Sequence, residues 1–241
     1  MAQQPARWPD AAALLAQYEA LLRGRFDTAA HQTRYTRQHT ELIPGVPVTT
    51  EKFQRRPAEL VQKTTALGSM VLLNGYDGNV AWEVRDGVAR ILTGPEAEVL
   101  KNTAAFYDGL LAAPAAMVLT RNAVTVGEAR VGDDTFFAIS LAGSTPASAE
   151  AGGLPIAYIS KSTGLLASTS VGGGNKPWFV RQTFGGYRDF GGLLVATELT
   201  TTSRTATANF EQSVTIDEVR WDSVSERELE LPAAVRALIK P

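Results

Sequence analysis

The chain has 241 residues, 44% of them apolar and 20% charged, with a formal net charge of −2. That length suits one large β domain or two small ones, and the composition is that of an ordinary globular protein able to bury a sizeable core. The near-neutral charge provides no field toward nucleic acid or anionic headgroups, and the lack of cysteine excludes disulfides, thiolate metal sites, a cysteine nucleophile and a lipidated N-terminal cysteine.

The start, Met1-Ala2-Gln3-Gln4-Pro5, reads as the mature N-terminus of an exported protein whose signal peptide has been removed, so the periplasm is the expected location. No run approaches the ~18 apolar residues of a membrane-spanning helix. Ala11 to Arg23 reads as a helix: Asp10 is a fitting N-cap, Leu14, Leu15, Tyr18, Leu21 and Leu22 share a face, and Gly24 stops it.

Thr28 to Leu42 is polar and β-prone, a long strand with few core positions. Turn residues at Ile43-Pro44-Gly45-Val46-Pro47 lead to strands at Thr49–Arg55, Glu59–Leu67 and Ser69–Leu73. Asn74-Gly75-Tyr76-Asp77-Gly78-Asn79 and Arg85-Asp86-Gly87 then supply the positive-φ residues of two tight hairpins, a meander carrying Val80, Trp82 and Val84 on one face.

At Thr93-Gly94-Pro95 the period becomes helical, with Glu96 and Glu98 suited to a helix N-terminus and an apolar stripe from Val99 through Phe106 to Leu111, giving one or two helices near 95–113. Strands resume at Ala123–Val131 and Thr135–Leu141, where Phe137, Ile139 and Leu141 form the more apolar face. Loops at 143–153 and 171–176 flank strands at Ile156–Ser160 and Leu165–Ser170. Trp178–Tyr187, Leu193–Thr202 and Asn209–Trp221 complete the sheet before a short helix at Leu231–Ile239.

Catalytic and metal signatures are sparse. His31 and His39 lie about 26 Å apart if their strand is continuous, too far to share a metal. No G-x-S-x-G elbow occurs, and Gly172-Gly173-Gly174-Asn175-Lys176 lacks the spacing of a phosphate loop. Asp133-Asp134 and Asp217-Glu218 are adjacent, so on a strand they point to opposite faces and read as turn or surface residues rather than acid–base pairs. Arg34, Arg37, Arg55 and Arg56 are the nearest approach to a basic patch and read as solvated strand edges. No cofactor and no metal are implied.

The order of elements, with Gly75-Tyr76-Asp77-Gly78 and Trp82, Leu92-Thr93-Gly94-Pro95-Glu96, Tyr158-Ile159-Ser160-Lys161-Ser162-Thr163-Gly164-Leu165-Leu166 and Tyr187-Arg188-Asp189-Phe190-Gly191-Gly192-Leu193-Leu194, resembles the LolA-like superfamily of periplasmic lipoprotein carriers and related lipid-binding proteins. In the third block the family's Asp is replaced here by Ser or Lys. The resemblance implies a single α+β, mainly antiparallel domain over residues 1–241: an unclosed half-barrel of about eleven strands whose concave face is plugged by the N-terminal helix and the helices near 95–113. It further implies a non-enzymatic carrier that holds the acyl chain of a lipid or lipoprotein in an apolar cavity between sheet and helices.

Candidate lining residues for that cavity are Trp82, Val84, Phe106, Phe137, Ile139 and Tyr158, and Arg34 or Arg37 is the candidate polar contact to the helical lid. Expected partners are a lipid or acyl chain and membrane-associated donor and acceptor proteins, with no nucleic acid, and a monomeric state. The same fold with a filled cavity would instead be a structural or protein-interaction module of the cell envelope.

Overall fold

Asp10 begins the first helix, α1 (Ala11–Arg23), by accepting a hydrogen bond from the backbone N–H of Ala13 at 3.2 Å, and Gly24 ends it with φ of 50°, its N–H returning to the Ala20 carbonyl. Asp10→Ala therefore costs about 1 kcal/mol, measurable as a fall in the urea midpoint. The computed structural model describes residues 8–24, 26–27, 30–43, 45–104, 123–141, 155–172 and 178–239.

The strands are β1 (Thr33–Ile43), β2 (Val46–Arg55), β3 (Glu59–Ala66), β4 (Ser69–Tyr76), β5 (Ala81–Arg85), β6 (Val88–Ile91), β7 (Val124–Val131), β8 (Asp134–Ser140), β9 (Ile156–Ser160), β10 (Leu166–Gly172), β11 (Phe179–Gly185), β12 (Arg188–Phe190), β13 (Leu193–Val195), β14 (Glu198–Arg204) and β15 (Asn209–Trp221). Helix α2 (Gly94–Ala104) follows β6, and the short helices α3 (Glu226–Leu229) and α4 (Ala233–Arg236) follow β15.

Thirteen strands form one unclosed sheet in the order β6-β5-β4-β3-β2-β1-β15-β14-β11-β10-β9-β8-β7, and β12 pairs with β13 separately. The architecture is the expected mainly antiparallel, unclosed sheet, with more strands than the eleven or so anticipated. Apart from that sheet, the run expected as one strand from Leu193 to Thr202 breaks at Ala196–Thr197, leaving β13 on its own hairpin with β12 and β14 in the main sheet. Residues 105–113, the expected continuation of the second helix, lie outside the described residues.

The chain forms two compact units, residues 1–26 with 110–213 and residues 27–109 with 214–241. In the second unit, the two turns of the meander form as their residues demand. Asp77 Oδ1 accepts from the N–H groups of Asn79 (2.9 Å) and Val80 (2.7 Å), while Asp86 and Gly87 both take positive φ, 50° and 77°, as a two-residue hairpin requires.

The period-two alternation of β3 to β5 then divides their apolar side chains between two layers. On one face Leu60 and Ala81 pack with Leu92 and with Ala97, Leu100 and Ala104 of α2. On the other, Val61 and Trp82 pack with Val235 of α4, with Leu73, Val84, Leu229 and Leu231 against them.

In the first unit α1 lies on β7 and β13. Its Leu14, Leu15, Tyr18 and Leu22 form one layer with Ile139, Ala157, Ile159, Leu166 and Phe184. These side chains are nearly all fully buried, so the space beneath α1 is filled.

Candidate functional site

The opposite face of that same sheet is the open one. Because Tyr158 pairs with both Ala138 and Ser168, and Ser168 with Thr183, these residues project to the side away from Ala157 and Ile159. Phe136, two residues before Ala138, and its partner Ala129 share that side, as do Ser170 and Arg181.

All of these side chains except Ala138, with Val131 and Phe179, line a cavity of about 330 Å³. The size is near the lower end of ligand sites, about 300–1,000 Å³. At about 30 Å³ per water-sized group, it accommodates on the order of ten methylenes.

Its walls are mostly apolar, and its polar side chains include one cation, Arg181. Arg181 donates from Nη2 to Ser168 Oγ at 3.2 Å, and its guanidinium carbon lies 5.9 Å from the Tyr158 ring centroid. Arg181 Nε is buried and has no hydrogen-bond partner among the described residues. An apolar pocket with one under-satisfied guanidinium is matched to an elongated apolar group bearing a carboxylate or similar anion. At the end of β10, Gly172 (φ 85°) leaves room for Trp178, whose ring would lie 2.4 Å from a Cβ at that position.

Of the residues expected to line a cavity, Tyr158 is in this one. Phe137 and Ile139 are on the other side of the sheet, Ile139 fully buried in the α1 layer and Phe137 half-buried against it with the Lys161 ammonium 5.0 Å from its ring centroid. Trp82 and Val84 belong to the other unit, in the layer beneath α3 and α4, and Phe106 lies outside the described residues. Phe136, Phe179 and Arg181 also line the cavity, without a sequence signal of their own. Their face alternates aromatic with small and polar residues, so the pattern in β8 and β11 marks it as the poorer of two apolar faces.

The two candidate arginines separate cleanly. Arg37 points to the side of β1 away from α2 and pairs with Glu218 at 3.5 Å. Arg34 points the other way, is buried, and donates from Nε (3.0 Å) and Nη2 (2.7 Å) to Gln54 Oε1, while Gln54 Nε2 donates to the Thr103 carbonyl near the end of α2 at 3.0 Å. Contact between the polar strand and the helix therefore runs through Gln54. Burial and the neighbouring Arg56 charge lower the Arg34 pKa to about 9.

No group of three or more His, Asp or Glu side chains is placed to hold a metal among the described residues. Nor is any described helix long and apolar enough to cross a membrane.

Comparison with solved structures bears directly on this architecture. A LolA superfamily protein from Nitrosomonas europaea superposes with a TM-score of 0.55 at 8% identity, over 93% of this chain and 99% of that one. The chain has a LolA-like fold. The chain also superposes on a DUF1329 family protein from Desulfovibrio piger, with a TM-score of 0.53 at 11% identity, over 92% of this chain and 98% of the other. No protein-family model and no curated protein matches the sequence.

Proposed function

We propose that this LolA-like chain is a non-enzymatic lipid-binding protein of the bacterial cell envelope, acting in the periplasm, that holds an acyl chain or similar amphiphile against the β7–β11 face. The observation that carries the reading is the 330 Å³ cavity walled by Phe136, Tyr158, Phe179 and Val131 with Arg181 at its edge. The fold supports it, because the resemblance to lipoprotein carriers implies acyl binding without covalent chemistry. The ligand would be free lipid or the acyl chain of a lipoprotein, exchanged as a monomer with membrane-associated donors and acceptors.

The site differs from the one the resemblance implies. The layer under α1 is filled, so the acyl chain is assigned to the other face of β7–β11, with Tyr158 retained and Phe137, Ile139, Trp82 and Val84 as packing residues.

Displacement of a fluorescent fatty acid by palmitate tests this reading. Ser170→Phe places a ring in the cavity and displaces about three methylenes at about 0.8 kcal/mol each, which weakens binding roughly fiftyfold. Arg181→Met removes the preference of the site for palmitate over hexadecanol. Unchanged displacement in Ser170→Phe would count against the assignment.

A second reading, a structural or partner-binding module of the envelope, is favoured by the filled layer under α1. Organic extraction and native mass spectrometry that yield no lipid, with no fatty-acid displacement, select that reading.

A further inference from the structure

The α2-facing side of the second unit has an unusual floor. Thr36, Lys52, Gln62 and Asn74 are successive cross-strand partners on β1 to β4 and point to the same side as Arg34, Gln54 and Leu60. Acidic side chains of these strands turn away from them. Glu51 bonds Tyr35 Oη (2.9 Å) and Lys63 (3.4 Å), Glu59 bonds Arg55 (2.6 Å), and Glu218 of β15 pairs with Arg37, all on the opposite side. The nearest carboxylate in the same row is Glu83, partner of Asn74, about 14 Å from Lys52 at ~4.8 Å per strand. It is already paired with Arg90 at 3.0 Å.

Lys52 is largely buried and forms no ion pair among the described residues, and the Thr36 hydroxyl beside it is buried without a hydrogen-bond partner. Burial and the Arg34 charge lower the Lys52 pKa to about 8. A buried ammonium held next to a guanidinium with no acid facing it among the described residues opposes folding, and an orphaned hydroxyl adds to that cost. Both are relieved by one bound anion.

We infer that Lys52 and Thr36, with the Arg34 charge behind them, form a binding site for a phosphate group. Three donors of this kind, an ammonium, a hydroxyl and a nearby guanidinium, fit a tetrahedral oxyanion, and the compact Lys charge suits phosphate. Lys52 retains some exposed surface, which leaves it reachable. The inference is independent of the acyl site, which lies in the other unit.

Titration calorimetry with inorganic phosphate, and separately with short-chain dihexanoyl phosphatidylglycerol against uncharged dihexanoylglycerol, tests it on the wild-type chain, Lys52→Met, Thr36→Val and Lys63→Met. The expected result is phosphate or phosphatidylglycerol binding that falls roughly tenfold or more in Lys52→Met and severalfold in Thr36→Val, with Lys63→Met unchanged. Binding of phosphate alone identifies a free anion as the source. Binding of the phospholipid but not of phosphate or dihexanoylglycerol identifies a lipid headgroup.

Without ligand, Lys52→Met melts at or above the wild-type temperature, because the variant loses an uncompensated buried charge. A lower melting temperature would show that Lys52 has a structural partner. That result, no binding of either probe, or equal binding in Lys52→Met each overturns the inference.

Discussion

Trp82→Ala lowers the unfolding free energy by about 3–5 kcal/mol, read as a lower urea midpoint at unchanged m-value. Trp82 is 1% exposed and sits in the layer formed with Val61 and Val235. Removing the indole empties a space bounded on one side by the strand ladder and on the other by α4, and the ladder cannot collapse into it without losing its register. The indole Nε1 is buried and has no hydrogen-bond partner among the described residues. Trp82→Phe therefore gives up volume but no polar contact, and its loss is less than half that of the alanine variant. Equal losses in the two variants would show that the indole nitrogen, not the packing, carries the stability.

Gly75→Ala is expected to destabilise by about 3 kcal/mol or more, at the upper end for overpacked positions. A Cβ at residue 75 would fall 2.3 Å from the Leu60 carbonyl oxygen and 2.7 Å from Cζ2 of Trp82. The ring can yield, but the oxygen belongs to the backbone of β3, which pairs with β4 on both sides of that point. The double variant Gly75→Ala/Trp82→Ala accordingly fails to recover the stability of Trp82→Ala alone. Gly127→Ala, where a Cβ meets nothing within 4 Å, is the control and changes stability little. Thermal and urea unfolding of the four proteins decide the point, and a double variant as stable as Trp82→Ala would place the obstruction on the ring.

Both positions belong to the meander that is most legible in the sequence. Asp77-Gly78 and Asp86-Gly87 announce their turns because few residues tolerate the backbone they need, and the strands between them follow. The same holds for α1, where an N-cap, a spaced apolar face and a glycine stop agree from Asp10 to Gly24.

Which side of a strand meets which helix is not legible in that way. Period two states that Trp82 and Val84 share a face, and that Phe137 and Ile139 do. It does not state that α3 and α4 cover the first pair and α1 the second. The α3 segment, Glu226–Leu229, is also too short to give a helical period; its signal is the capping box of Ser225 and Glu228.

The cavity was harder still to read, because its aromatic residues are separated in sequence and its cation, Arg181, sits in a strand that looks ordinary. Lys52 and Thr36 are equally plain on their strands. Only the register shows that the acids beside them face the other way.

Photocrosslinking with a diazirine-bearing palmitate, mapped by peptide mass spectrometry, reads out whether an acyl chain occupies the β7–β11 cavity. Crosslinks are expected to concentrate on Phe136, Tyr158 and Phe179, to be competed by unlabelled palmitate and to be lost in Ser170→Phe. Crosslinks confined to α1 and its layer at Ile139 and Ile159, or label spread over the surface and indifferent to competition, would contradict that occupancy.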